Sequence, residues 1–338
     1  MFADSYQSHI IPETGLYRTY AETPGTTVIC KWKDNKKAAY SLGADDGLDS
    51  QLDYMVPEIL KRGFYATFWV NPGHSGNRFK RRYDDWKEAA KNGCDFGNHT
   101  YRHISVDNME DAEYEMRECA MAIREANPSQ GLQLFRYGGG SDWNVPREEI
   151  KLLMCKYGCA LDRGGGATDR MYHSQAVPGG KNKTWSVTPE ECSMFVSRAL
   201  ESGDWRMSIV HGVGPNAEYL PTDEKAYGAL LDGLYENKNE IWVSSNTRIH
   251  KYMTERDGAK AARLEINENY LRIIITAGLN PYLYDYPLTV KTNVPFEWQY
   301  CDVAQGRNKI AVKSSYGYIT YEALPDMGEI TVTKAGTA

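Results

Sequence analysis

Gly43-Ala44-Asp45-Asp46-Gly47 and Asn98-His99-Thr100-Tyr101-Arg102-His103 are the two stretches on which the reading of this chain turns. The first follows a β-like run, Ala38 to Leu42, and the second follows another short apolar stretch. Histidines four positions apart share one face if they lie on a helical turn. His99 and His103 can then hold one ion, and an aspartate completes three protein ligands. A fourth position stays open for water, the arrangement of a catalytic rather than a structural zinc site. The other aspartate stands beside that water without binding the metal. A base next to an activated water is the minimum equipment for metal-assisted hydrolysis.

Outward from these stretches, short β-rich runs alternate with helix-like segments from Lys36 to about Arg256. Strands are expected at Ala38–Leu42, Tyr65–Val70, Asp95–Asn98, Leu132–Arg136, Cys159–Asp162, Met207–His211 and Glu240–Val243. Helices fall between them. The longest, Met109–Ala126, carries Met109, Ala112, Met116, Ala120 and Ile123 at helical spacing, a core stripe. Thr188 caps another, with Pro189 in its first turn. Such alternation predicts a parallel sheet or barrel with helices outside, whose active residues gather at the strand C-terminal ends. Asp45, His99, Arg136 and His211 all lie at or just beyond such ends. After about Gly258 only short β runs separated by turn residues remain, which reads as a small β-sandwich-like domain. That domain suits carbohydrate binding, packing or oligomerisation equally well. The expected division is therefore a lead-in over 1–35, an α/β domain over 36–256 and an all-β domain over 257–338.

Composition narrows the function classes. The chain has 338 residues, 41% hydrophobic and 25% charged, as in an ordinary globular protein. A net charge of −6 argues against a nucleic-acid partner and mildly against a polyanionic one, unless a local basic patch overrides it. No apolar run approaches the roughly 20 residues of a membrane span, and no basic-then-apolar signal peptide opens the chain. The seven cysteines lack zinc or redox spacing, and their odd number leaves room for one bridge but not a dense disulfide framework. Gly164-Gly165-Gly166 is not followed by the lysine and hydroxyl residue of a phosphate loop, so no nucleotide site is expected. The 24 tyrosines and 8 tryptophans include Trp69 and Trp143 near the motif loops, where each can serve as a sugar platform or as packing. His74 reads as a loop histidine able to line the cleft.

Asp45-Asp46-Gly47 and His99-Thr100-x-x-His103 resemble the first two motifs of the polysaccharide deacetylases, the carbohydrate esterase family 4 or NodB-homology group. The resemblance covers residues 36 to 256 and implies a NodB-like distorted (β/α) barrel. By position it makes Asp46, His99 and His103 the metal ligands and Asp45 the general base. Arg136, in Phe135-Arg136-Tyr137-Gly138-Gly139, corresponds to the arginine that orients the base, and His211 to the histidine that protonates the leaving group. Gly139 would donate its backbone N–H to the oxyanion, with Tyr137 and Trp143 on the substrate side. Asp162 or Arg163 would orient His211. This chain departs from the family pattern in two places. Gly43 and Ala44 replace a threonine and a phenylalanine, which is expected to open space beside the metal, and Gly138 and Gly139 replace a proline and a tyrosine.

The expected activity is divalent-metal-dependent removal of acetyl groups from an acetylated oligo- or polysaccharide, O-acetyl ester before N-acetyl amide. Zn²⁺ is the expected metal, with Co²⁺ or Ni²⁺ compatible with the same ligands. The substrate class points to a secreted or periplasmic address; the sequence is silent on oligomeric state. The competing readings are a metal hydrolase of small amides or imides on the same barrel, and a carbohydrate-binding protein without activity.

Overall fold

The computed structural model describes residues 23–76, 78–138, 141–162, 167–178, 182–215, 217 and 219–335. In chain order the strands are β1 (Thr27–Ile29), β2 (Ala38–Asp45), β3 (Ala66–Val70), β4 (Asp95–Asn98), β5 (Gln133–Phe135), β6 (Cys159–Leu161), β7 (Ala167–Arg170), β8 (Tyr172–Gln175), β9 (Lys183–Ser186), β10 (Trp205–Ile209) and β11 (Ile241–Ser245). Seven more follow: β12 (Lys260–Ile266), β13 (Tyr270–Thr276), β14 (Leu288–Asn293), β15 (Tyr300–Gln305), β16 (Asn308–Lys313), β17 (Tyr318–Ala323) and β18 (Ile330–Lys334). The helices are α1 (Val56–Lys61), α2 (Arg78–Arg81), α3 (Tyr83–Lys91), α4 (Met109–Ala126), α5 (Arg147–Tyr157), α6 (Pro189–Ser202), α7 (Glu224–Glu236) and α8 (Asn246–Gly258).

Strand β2 is the axis of the α/β part. Every residue in it is buried, which fits its run of small and apolar side chains, since a parallel strand covered on both faces needs no polar side. One edge pairs with β10; the other pairs with β11 over Ala38–Leu42 and with β3 over Leu42–Asp45. The remaining order is β6-β5-β4-β3-β2-β10-β7, all parallel. This is the parallel sheet expected from the alternation, and it agrees with the distorted (β/α) barrel that the resemblance implies. Among the described residues its end strands β6 and β7 do not pair with each other. Strand β7 and the antiparallel hairpin β8–β9 were not expected from the sequence. Their residues are polar and flanked by glycines, so neither periodicity nor apolar content marks them. Helix α6 begins as expected: Thr188 and Glu191 form a reciprocal capping box and Pro189 occupies the first turn.

Beneath the motif loops lies an aromatic group of Phe68, Phe79, Trp86 and Phe96. Trp86 meets Phe68 at 5.3 Å and Phe96 at 5.9 Å between ring centroids. A side chain placed on Gly47 would sit 3.8 Å from the Trp86 ring, so this packing floors the turn that follows Asp46.

The chain divides into two compact units, one of them Lys31–Asp257 with Leu279–Tyr286. That second piece holds to its unit through Lys251 Nζ, 2.6 Å from Asp285, and through Trp242 and Tyr286, 5.7 Å apart. The other unit is all β, with sheets β1-β14-β17 and β12-β13-β18-β15-β16. Its strands alternate in and out, Leu271, Ile273 and Ile275 on β13 and Ile319, Tyr321 and Ala323 on β17 facing the core. Strand β1, inside the stretch read as a lead-in, joins this unit because it pairs antiparallel with β14. All seven cysteines are free thiols, and six are buried.

Trp86→Ala is expected to lower unfolding free energy by about 3–5 kcal/mol, the range for deleting a buried large aromatic. Denaturant titration followed by far-UV dichroism will show this as a lower midpoint.

Candidate active site

Strand β2 ends at Asp45, and the chain turns at once: Asp46 and Gly47 have φ of 78° and 61°. This left-handed turn lets the two adjacent carboxylates face one cleft in different roles. Asp46 Oδ1 accepts from Asn71 Nδ2 at 3.1 Å. The same oxygen lies 3.8 Å from His99 Nε2 and 3.7 Å from His103 Nε2. All three ligand atoms fall within 4.8 Å of one another. Ligands about 2 Å from a tetrahedral ion stand roughly 3.3 Å apart, so a small inward movement fits the set to a divalent cation.

The two histidines do not sit on a helical turn, as their spacing suggested. Residues 99–103 form a loop after β4, with Thr100 and His103 at φ of 66° and 60°. Side-chain hydrogen bonds hold it. Asn98 Oδ1 accepts from Thr100 N at 3.1 Å, and Thr100 Oγ1 from His103 N at 3.1 Å. The fully buried Glu115 of α4 accepts from Arg102 N at 2.6 Å and Arg102 Nε at 2.5 Å. Backbone joins in, Gly73 N donating to Tyr101 O at 2.7 Å. His99 Nδ1 lies 3.1 Å from the Arg136 carbonyl; donation there leaves the Nε2 lone pair for a metal. Burial holds the His99 pKa below its ordinary value despite the neighbouring carboxylates, favouring the neutral, ligating form.

The Arg136 guanidinium lies just past β5, 4.1 Å from the Trp69 ring. Its Nη1 donates to Asp45 Oδ1 at 2.8 Å, while Nε and Nη2 donate to Asp162 Oδ2 at 3.0 and 2.5 Å. Burial alone would raise the Asp45 pKa, but Arg136, His99 and His211 outweigh it and hold the carboxyl low. His211 Nε2 stands 4.0 Å from Asp45 Oδ2. Its ring lies between Tyr172 and Tyr219, at 5.6 and 5.2 Å. The buried Gln51 amide donates to both Asp45 O at 2.6 Å and His211 O at 2.9 Å, tying the two strand ends together.

Five expected residues, Asp45, Asp46, His99, His103 and His211, thus line one cleft of ≈ 370 Å³, with Arg136 behind Asp45. His74 lines it too. Other expectations are revised. Asp162 orients Arg136 rather than His211, whose Nδ1 has no hydrogen-bond partner among the described residues. Gly139 and Arg163 lie outside the described residues. Tyr137 and Trp143 pack on each other and on Phe135 and line a separate depression beside α5, away from Asp46, His99 and His103. Trp69 is fully buried under Arg136 and cannot stack on a sugar. Gly43 opens no space, because a Cβ there would stand 3.1 Å from Asn246 Oδ1 and 3.4 Å from Trp69 Nε1. Gly138 instead serves close approach: its Cβ would come within 2.8 Å of His103 Nε2. Asn71, Gln51, Glu115 and Tyr172 were not singled out, since no local motif marks them.

Two substitutions probe this geometry. Asn71→Ala, which frees the Asp46 carboxylate, is expected to weaken divalent-metal affinity about 10–100-fold. Gly138→Ala is expected to weaken it at least as much by displacing His103. Competition with a chromogenic chelator measures both, with far-UV dichroism confirming that the fold is retained.

The polysaccharide deacetylase family model matches residues 33–157. A gellan lyase from a Bacillus species is 22% identical over 344 positions, covering 94% of this chain; the chain spans 14% of that protein's length. Peptidoglycan deacetylase PdaC of Bacillus subtilis is 18% identical, with 66% of this chain and 95% of its own covered and a TM-score of 0.43. A family 4 carbohydrate esterase from Streptomyces lividans, in complex with acetate, is 15% identical, with 62% and 92% covered and a TM-score of 0.40. A family 4 pseudoenzyme from Bacillus anthracis is also 15% identical, with 64% and 66% covered and a TM-score of 0.42. The matched segment contains Asp45, Asp46, His99, His103 and Arg136, and over it the chain is similar to the polysaccharide deacetylases.

Proposed function

We propose that this protein is a divalent-metal-dependent hydrolase that removes acetyl groups from an acetylated carbohydrate. The observation that carries the reading is the Asp46–His99–His103 cluster beside an Asp45 carboxylate braced by Arg136 and faced by His211. Asp46, His99 and His103 would hold the cation, and two imidazoles with one carboxylate suit Zn²⁺ first, then Co²⁺ or Ni²⁺. When bound, the ion would supply Lewis acidity toward water and the acetyl carbonyl.

The chain's own residues divide the proton work. Asp45 is the base. Its Oδ1 is engaged by Arg136, so Oδ2 takes the proton from the attacking water. Its depressed pKa keeps it ionised for that step. His211 is the acid: its Nε2 proton passes to the departing sugar oxygen as the tetrahedral carbon collapses, giving acetate and a free hydroxyl. Base and acid 4.0 Å apart can serve the two faces of one reacting carbon. An ester is favoured over an amide because an alkoxide departs more readily than an amine. Residues 36–256 form the catalytic domain in this reading and 257–338 an accessory β domain. Among the described residues no helix is long and apolar enough to cross a membrane. Glycan polymers lie outside the cytoplasm, so the reading assigns a secreted or periplasmic place.

Metal-stripped protein, with and without added Zn²⁺, is expected to release acetate from acetylated xylan, chitooligosaccharides or an aryl acetate only when metal is restored. Asp45→Asn should keep the metal and lose about 10²–10⁴-fold in rate, the span for a general base. Metal held firmly with no acetate from any substrate would remove the acetylated class and favour small amides.

A further inference from the structure

We propose that the cleft takes an acidic glycan, and that Arg170 receives a sugar carboxylate next to the acetylated residue. The inference rests on the deacetylase reading and narrows its substrate class. Both carboxylates lining the cleft are engaged: Asp45 by Arg136 at 2.8 Å, and Asp46 by Asn71 at 3.1 Å and the two imidazoles. The charged lining groups outside the proposed chemistry, Arg78 and Arg170, are both guanidinium cations. In a chain with a net charge of −6, that is not a consequence of overall composition.

Arg170 is the sharper of the two. It ends β7, where successive side chains point to opposite faces. Asp169 turns inward and is buried, accepting from Tyr40 Oη at 3.0 Å and Arg206 Nε at 3.0 Å. Arg170 turns the other way, exposed, and lines the cleft. It has no ion-pair partner among the described residues. Two positions on, Tyr172 packs against His211, so Arg170 stands on the wall where the leaving sugar would depart. A planar guanidinium donor there matches a carboxylate's two oxygens.

The test compares acetylated polygalacturonate with its carboxyl-reduced counterpart, matched for acetyl content, using the Zn²⁺-loaded chain. The expected wild-type kcat/KM ratio of acidic to neutral polymer is about tenfold or more, the size of one charged hydrogen bond. Arg170→Gln should collapse that ratio, chiefly through KM on the acidic polymer, and Arg170→Lys should restore part of it. Equal rates on the two polymers, or an equal factor lost on both in Arg170→Gln, would overturn the inference while leaving deacetylation standing. Absence of acetate release from both polymers and from an aryl acetate would overturn the deacetylase reading, and this inference with it.

Discussion

The buried Arg136 guanidinium is the contact on which the rest of the site depends. A cation out of water is tolerated only when its charge and its donors are both met. Here Asp45 and Asp162 take donors from opposite sides and Trp69 offers its ring face at 4.1 Å. The backbone of the same residue receives the His99 imidazole. One position after β5 therefore fixes the orientation of the Asp45 carboxylate and the tautomer of the His99 imidazole together. Lysine could not replace it. A compact ammonium lacks the flat fork that reaches two carboxylates in a plane, and it has no flat face for Trp69.

Around that hub the backbone is held in unfavourable conformations. Asp46, Thr100 and His103 all adopt positive φ, each costing of order 1–3 kcal/mol where a side chain is present. The loops persist because their hydrogen bonds are over-determined: Asn98, Thr100 and Glu115 fix the histidine loop, while Gln51 binds the ends of β2 and β10. The strain has a geometric return. Extended backbone continued through Asp46 would point the adjacent Asp45 and Asp46 to opposite faces of the strand. With the strain in place, five functional side chains from three strand ends reach one cleft.

What was legible in the sequence was whatever is local. Asp45-Asp46 and His99…His103 carry their chemistry within a few positions, and their placement after β-like runs already put them at the mouth of a parallel sheet. The mechanism by which the histidines meet was not legible, because left-handed Thr100 and His103 leave no mark that a spacing of four does not also give to a helix. The partner of Asp162 is a matter of register. Phe135 opposes Leu161 in the β5–β6 pair, so the next residues, Arg136 and Asp162, stand side by side. That pairing follows only once the two strands are known to be neighbours. Trp69 and Trp143 were ambiguous for a related reason: burial under Arg136, or packing on Phe135, is decided by tertiary contacts and not by being near a motif.

Gly138 joins these strands of argument. The family pattern places proline and tyrosine in the loop after the arginine, side chains that build a wall. Here a Cβ at Gly138 would strike His103 Nε2 at 2.8 Å, so the position is given over to the close approach of that imidazole. A wall lost on that side has to be supplied elsewhere if a sugar is to be held. The opposite rim offers one: Tyr172 from β8 and Tyr219 enclose His211, and Arg170 from β7 stands beside them. In the proposed reading, recognition is accordingly weighted toward the His211 side of the cleft, on β7 and β8, the strands whose polar sequence gave the least warning of a role.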